Sequence, residues 1–272
     1  MRLRHLSTTL FLSFLCILPA AAAERETLRV SQSADVLETF LAIPESSIPP
    51  ALLAQAHAVA VVPDMLNLGL GVGGRHGKGI LVVRRDDGTW SNPSFVKMTG
   101  GSFGFQFGAQ ATDVILVFRT SRSVDGITNG KLTLGVDASV AAGPVGRQTG
   151  AHTDMRFRSE VLSYSRSKGF FAGIALEGAG LSMDRLANAE FYQDPAMTPE
   201  RIFASPGNIA PDAANRFVQV LSAQTGTLAA SSTTDAGAAA VVEPAPERPS
   251  TVRTFAMPDP DAAEAAQDGV PQ

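Results

Sequence analysis

Apolar and polar residues alternate along much of the middle of the chain, a pattern typical of β-strands that bury one face. Asp86-Asp87-Gly88 marks a turn between two of these segments. Proline cannot donate a ladder hydrogen bond, so Pro63 is expected to end the first strand. The segments with this pattern are 59–62, 79–84, 103–107, 113–118, 131–140, 156–161 and 170–176.

Segments with apolar residues at helical spacing lie mostly before or after these predicted strands. Val36, Leu37, Phe40 and Leu41 recur at helical intervals in one such segment, before a proline. Short helices or helical turns are expected at 33–42, 49–56, 121–127, 184–192, 198–200 and 211–223. The pattern therefore predicts an α+β fold: a glycine-rich, mainly antiparallel β-sheet, barrel- or sandwich-like, with flanking short helices.

Glycine is concentrated in the predicted sheet, since 21 of the 25 glycines lie in 69–180. Gly69-Leu70-Gly71-Val72-Gly73-Gly74 satisfies the G-x-G-x-x-G pattern of dinucleotide-binding loops. That mechanism needs a helix directly afterwards, because the helix N-terminus holds the pyrophosphate. Residues 75–84 indicate loop and strand instead, so we interpret these glycines as parts of a bent strand.

The first 23 residues have the three parts of a secretory signal peptide: a basic start, the apolar run Leu10–Leu18 and the small residues Ala20–Ala23. Cleavage is expected after Ala23. Cys16, the single cysteine, would then be discarded; the alternative, a lipoprotein cysteine, would need small residues before it, where Phe14 and Leu15 stand. We expect an exported protein that is periplasmic or secreted, or that lies peripherally on a membrane.

Charge is distributed unevenly along the chain. Residues 226–272 are rich in Ala, Pro and acids with a net charge of −5, and we expect a disordered acidic tail there. Residues 24–225 form the expected folded domain. Within it, 69–180 holds 13 Lys and Arg against 8 Asp and Glu, so this part is basic inside a chain whose pI is near 5.6. The acidic total argues against nucleic acid as a partner, and the basic segment favours an anionic surface.

Residues for catalysis or metal binding do not form a recognisable pattern. His57, His76 and His152 lie in separate segments without metal-ligand spacing, and no nucleophile elbow surrounds the serines of 163–167. We therefore expect no enzyme activity, no cofactor and no metal. A hydrolase remains an alternative, and it would require a cleft in which Ser, His and carboxylate converge.

The segment Ser163–Gly169 carries the strongest binding signal. Its three serines share one strand parity, while a phenol and two cations share the other. Hydroxyls and cations are the donors that a phosphate or lipid headgroup needs. The alternative is that the serines bind backbone groups and the cations pair with acids such as Asp137, Asp154 or Glu177. The candidate headgroup-binding residues are Arg147, Arg166, Lys168, Ser165 and Ser167, with Arg75 and Lys78 as neighbours.

Six pieces of sequence also form a recognisable set. They are Gly77-Lys78-Gly79-Ile80, Asp87-Gly88-Thr89-Trp90-Ser91-Asn92-Pro93-Ser94, Ala141-Ala142-Gly143-Pro144-Val145-Gly146-Arg147, Tyr164-Ser165-Arg166-Ser167-Lys168-Gly169-Phe170-Phe171-Ala172-Gly173, Leu176-Glu177-Gly178 and Asn188-Ala189-Glu190-Phe191-Tyr192. From about Ala51 to Tyr192 the set resembles the SYLF domain, also called the Ysc84 actin-binding family, in an exported bacterial form. The resemblance implies a lipid-binding domain; eukaryotic members bind phosphoinositides and, in yeast, actin filaments.

Together these observations predict an exported envelope protein whose SYLF-like domain binds anionic phospholipid peripherally. Its expected partner is an anionic phospholipid or membrane surface, with an envelope protein as a possible further partner. Actin is not expected, because a signal peptide directs the chain out of the cytoplasm. The alternative is a structural or protein-interaction module of the envelope without lipid binding, in which Phe103, Phe105 and Phe107 could contact a partner.

Overall fold

A computed structural model describes residues 17–42, 48–143, 159–167, 170–171, 176–205 and 210–236. The chain divides into two units, residues 1–234 and 235–272, and the described strands all belong to the first. The described helices are α1 Ile17–Ala42, α2 Pro50–Ala54, α3 Ser121–Thr128, α4 Arg185–Phe191, α5 Pro199–Ala204 and α6 Asp212–Ala236. The described strands are β1 Ala58–Val83, β2 Ser94–Phe118, β3 Lys131–Thr133, β4 Val140–Ala142, β5 Val161–Ser167, β6 Phe170–Phe171 and β7 Gly180–Met183.

The strands form one sheet that curls into a half-barrel. Its order is β3-β7-β2-β5-β4, with β1 paired to β2 and β6 paired to β5. Every described pairing between these strands is antiparallel except that of β4 with β5. The predicted α+β class, with a mainly antiparallel curled sheet and flanking helices, is therefore confirmed.

The curl arises because β1 folds back on itself. A straight strand of 26 residues would be about 85 Å long. Nevertheless, the Arg84 N–H donates to the carbonyl oxygen of His57 at 2.8 Å, so the two ends of β1 meet. Gly79 permits the close approach, since a Cβ there would overlap the carbonyl oxygen of Val61.

The prediction that Pro63 ends the first strand is wrong, because β1 runs through it. The register with β2 shifts between Val62 and Met65, and Asp64 adopts a φ of 46° within that bulge. A bulge leaves a residue outside the ladder, so proline removes no sheet hydrogen bond there. The segments predicted at 59–62 and 79–84 are accordingly two parts of one strand, as are 103–107 and 113–118.

Toward the ends of the long strands β1 and β2, apolar side chains are buried on both faces of the sheet. On the face that we call the helix face, strand residues such as Val61, Ile80 and Ile115 pack with side chains of α1, α4 and α6. On the opposite face, residues such as Val114 and Leu116 pack with side chains of α3 and β7. This two-sided burial explains the continuous apolar run in 114–118.

The predicted helices are confirmed, with differences at their bounds. α1 begins 16 residues before the predicted start, and α6 extends beyond 223. The predicted strand 131–140 is interrupted at Gly135, whose φ of 82° suits a turn, and the Asp137 carboxylate accepts the Thr133 N–H at 2.7 Å there. The glycines of 69–74 lie within β1, as the bent-strand interpretation expects. Residues 172–175 and the side chains of Phe103, Phe105 and Phe107 lie outside the described residues.

Candidate functional site

The serines of β5 use their hydroxyls inside the protein. Ser163 donates to the carbonyl oxygen of Ala141 at 3.2 Å, and Ser167 donates to that of Ala111 at 3.1 Å. Ser167 also accepts from the amide of Gln110, and Ser165 is buried. These contacts correspond to the alternative in which the serines satisfy neighbouring polar groups.

The cations predicted for the same site have different surroundings. Arg166 forms an ion pair with Asp113 at 3.4 Å, and its guanidinium lies 5.9 Å from the centre of the Phe40 ring. Its side chain is 22% exposed, so most of its donor surface is covered. Arg147 and Lys168 lie outside the described residues, and their role in headgroup binding stays a prediction.

Arg75 and Lys78 lie near each other on β1 but on opposite faces of the strand, because side chains alternate. Arg75 packs beside its cross-strand partner Gly100, where a Cβ would lie 3.3 Å from the Arg75 Cγ. Burial lowers the pKa of the Arg75 guanidinium below its ordinary value. Lys78 lies on the helix face, where it belongs to a different group of residues.

Three lysines form a row across the sheet. Lys78 on β1 pairs directly with Lys97 on β2, Lys97 pairs with Ser182 on β7, and Ser182 pairs with Lys131 on β3. Directly paired residues project to the same face, so Lys78, Lys97 and Lys131 share the helix face; we call them the lysine row. Lys131 lies two strands, about 10 Å, from Lys97.

The lysine row is accessible to solvent and accounts for most of the lysine in the protein. The side chains of Lys78 and Lys97 are 39% and 37% exposed, and Lys131 is exposed as well. The whole chain contains four lysines and 18 arginines, and the fourth lysine is Lys168. Three of the four lysines therefore share one exposed row.

A single buried carboxylate contacts the row. Asp184 directly follows β7, and its oxygens lie 3.0 Å from the ammonium of Lys78 and 3.7 Å from that of Lys97. The same side chain caps α4 by accepting the N–H of Ala187. Burial raises the pKa of the Asp184 carboxyl, but the hydrogen bond and charge of Lys78, the Ala187 amide and the charge of Lys97 together hold it below its ordinary value. Asp184 is therefore ionised at neutral pH.

Glycine determines where the Lys131 side chain lies. A Cβ at Gly180 would overlap the Cε of Lys131 and lie 2.8 Å from its Nζ, so the lysine stem lies across this glycine. Gly180 pairs with Thr99, which pairs with His76, and both of these residues are exposed. The row thus borders an uncharged polar strip on the same face.

The row has the chemistry of an anion-binding surface. The ammonium groups of Lys78 and Lys97 share one carboxylate, and Lys131 adds a further cation to the row, which leaves a local excess of positive charge. Lysine is a compact point charge with three rotatable donors, so it can donate to phosphate oxygens without requiring one geometry. The sequence predicts Lys78 as a site residue but does not single out Lys97 and Lys131, because only the strand register brings these lysines together. The one feature of the sequence that distinguishes Lys97 and Lys131 from the other cations is the small number of lysines in the chain.

Two pieces of the family-like set hold the sheet and α4 together. Asn188, fully buried, accepts the Phe95 N–H at 2.8 Å. Phe191 packs edge-to-face against Phe95 with ring centres 5.1 Å apart, and the Tyr192 hydroxyl donates to the carbonyl oxygen of Pro93 at 2.7 Å. These pieces therefore hold the junction of β7 and α4, where Asp184 lies.

Within the part of the chain that the structure describes, no group of three or more His, Cys, Asp or Glu side chains could hold a metal ion. Of the described helices, none combines the length and apolar character needed to cross a bilayer. His57 precedes β1 and His76 lies within it, both exposed, while His152 is outside the described residues.

Comparison with known proteins agrees with the motif set. Residues 99–224 match the Ysc84 family model, described as "Las17-binding protein actin regulator". The chain is 35% identical over 179 residues to "SH3 domain-containing YSC84-like protein 1" of Xenopus laevis, covering 63% of this chain and 53% of that protein. It is 39% identical over 150 residues to "Protein YSC84" of Saccharomyces cerevisiae, covering 54% of this chain and 32% of that protein.

These matches show that this part of the chain is similar to a Ysc84 (SYLF) domain. The chain spans about half the length of the Xenopus relative and about a third of the yeast one, so the similarity concerns a domain and not those whole proteins. Both relatives are eukaryotic, and the assignment to an exported bacterial form stays a prediction.

Proposed function

We propose that this Ysc84-domain protein is an exported envelope protein that binds anionic phospholipid at a membrane surface, without spanning the membrane. Residues 1–23 would serve as the signal peptide, 24–225 as the lipid-binding domain and 226–272 as an acidic tail. The observation that carries the proposal is the lysine row, an exposed row of cations on one face of the sheet.

The binding free energy expected from the lysine row is large enough for peripheral membrane binding. Each cation close to an anionic leaflet contributes about 1 kcal/mol, and the effect falls off within a Debye length. Removing Lys97 and Lys131 together should therefore weaken binding by about 2 kcal/mol, which is roughly thirty-fold. Both side chains are at least one third exposed, so their loss should leave the fold intact.

The test is co-sedimentation of the full chain with phosphatidylglycerol-containing vesicles and with pure phosphatidylcholine vesicles. The wild type should bind the anionic vesicles, and binding should decrease as salt rises. Lys97→Gln/Lys131→Gln should lose roughly thirty-fold in affinity. Arg122→Gln is the control for charge outside the row, because it removes one charge from an exposed site on α3, whose side chains pack on the opposite face; its loss is compared with half of the free-energy loss of the double variant.

Three results would contradict the proposal: no binding, equal binding to both vesicle types, or a loss in Arg122→Gln that equals half of the free-energy loss of the row variant. The first of these would favour a structural or protein-interaction role in the envelope. Actin, named in the description of the matching family model, is not among the partners proposed, because an exported chain would not meet it.

A further inference from the structure

Part of β1 and β2 extends beyond the body of the sheet as a two-stranded arm. The two runs of β1 still touch where Gly77 meets Met65, since a Cβ at Gly77 would lie 3.0 Å from the Met65 Cγ. Beyond this point β1 and β2 continue to pair with each other over residues 66–76 and 99–111, which we call the arm. Among the described pairings, β7 reaches only as far as Thr99 and β5 only as far as Asp113.

The arm has an inverted distribution of apolar and polar side chains. Leu66 and Leu68 are 47% and 54% exposed, and their cross-strand partners Ala111 and Ala109 are exposed too. On the other side of the same ribbon, the pair Asn67 and Gln110 is half-buried. A sheet that only needed to be stable in water would face the opposite way, so the exposed apolar side requires a separate explanation.

The exposed side of the arm carries no Asp, Glu, Lys or Arg at the positions whose side chains are described. These positions are Leu66, Leu68, Gly74, His76, Thr99, Gly101, Ala109 and Ala111.

The apolar side of the arm and the lysine row belong to the same face by register. The pair next to His76 and Thr99, toward the body of the sheet, is Lys78 and Lys97. Along this face the residues therefore change from leucine and alanine, through glycine and threonine, to lysine. A bilayer presents the matching order, from acyl chains to anionic headgroups.

We propose that the leucine side of the arm enters the acyl-chain boundary of an anionic bilayer while the lysine row contacts the headgroups; this rests on the proposed lipid binding. Insertion is shallow, because the edges of a two-stranded ribbon carry backbone groups that need water or headgroups as hydrogen-bond partners. A second copy of the chain fits less well where two arms align in parallel, since that pairing would bring two lysine rows together.

The first test places a fluorophore on the arm of the full chain. In a Cys16→Ser background, Leu68→Cys carries an environment-sensitive nitrobenzoxadiazole label, and Leu28→Cys, an equally exposed leucine on α1, is the matched control. Vesicles of phosphatidylglycerol and phosphatidylcholine contain lipids brominated along the acyl chain. The label at position 68 should shift to shorter wavelength and be quenched, and the label at position 28 should change much less.

The second test measures affinity. Leu66→Asn/Leu68→Asn should melt like the wild type, because both leucines are about half exposed, yet bind anionic vesicles about ten-fold more weakly. Leu28→Asn should bind like the wild type. The remaining binding of the arm variant should be more sensitive to salt than wild-type binding, since it depends on the lysines alone.

The outcomes separate this inference from the proposed function. Binding to anionic vesicles without quenching at position 68, or with unchanged affinity of the arm variant, would overturn the proposed insertion of the arm. It would not affect the proposed binding of headgroups by the lysine row. A spectral shift without vesicles, together with a mass of two chains, would show that the arm binds a second copy and would also overturn it. Absence of any vesicle binding would overturn both proposals.

Discussion

Replacing Asp184 with asparagine should strengthen the binding of the folded protein to anionic membranes. The Asp184 carboxylate is 97% buried beside Lys78 and Lys97 and cancels part of their charge. Asparagine is as good a helix N-cap as aspartate, so Asp184→Asn keeps the cap of α4 while removing one negative charge from the row.

The expected size of the gain follows from the charge removed. One additional unit of net positive charge at an anionic surface is worth about 1 kcal/mol, which is roughly a five-fold increase in affinity. The variant should also lose about 1 kcal/mol of stability at neutral pH, because it lacks the ion pairs of Asp184 with Lys78 and Lys97. The loss is small because both lysine side chains are more than one third exposed and therefore well screened. Affinity and stability should therefore change in opposite directions.

The assay is vesicle co-sedimentation at fixed ionic strength, combined with urea unfolding of both proteins. Asp35→Asn is the control, since it removes a carboxylate that pairs with Arg216 and not with a lysine of the row. If folded Asp184→Asn binds anionic vesicles no better than the wild type, or if Asp35→Asn gains as much, the row is not the membrane-binding surface.

Three further predictions concern the fold that supports the row. The pKa of Asp184 is held below its ordinary value of 3.8, so the ionised carboxylate stabilises the fold above that pH and loses this contribution as the pH falls below it. The difference in unfolding free energy between wild type and Asp184→Asn, measured by urea unfolding, should therefore disappear in acid. Gly79→Ala should prevent folding or lower the melting temperature strongly, because its Cβ would overlap the carbonyl oxygen of Val61; a melting temperature like that of the wild type would refute the close approach. Asn188→Ala should cost about 2 kcal/mol in chemical unfolding by leaving the buried Phe95 N–H unpaired, and no loss would contradict that hydrogen bond.

The short-range features of the fold could be predicted from the sequence. Helix α3 and helix α4 have apolar residues at helical spacing and local stop signals, and both are found where expected. Strand β2, by contrast, was predicted as separate segments, because its glycines weaken the local pattern. Whether such a strand ends or continues depends on a partner strand distant in sequence, here β1, and a local pattern does not contain that information.

The same distinction between local and long-range features applies to the candidate site. Hydroxyls and cations on β5 suggested a ligand site, but Ser163 and Ser167 bond to neighbouring groups and Arg166 pairs with Asp113. Lys97 and Lys131 were not distinguished from other cations, because their proximity depends on the pairing of β7 with both β2 and β3. Sequence spacing cannot reveal a register formed by strands more than 40 residues apart.

The most direct test of the central claim is amine footprinting of the native full chain, which has only four lysines. Each is acylated with a water-soluble reagent and quantified by mass spectrometry, alone, with phosphatidylglycerol vesicles and with phosphatidylcholine vesicles. The account predicts that Lys78, Lys97 and Lys131 lose reactivity together on the anionic vesicles and keep it on the neutral ones. Protection of Lys168 alone, or unchanged reactivity of all three row lysines on a vesicle-bound protein, would contradict it.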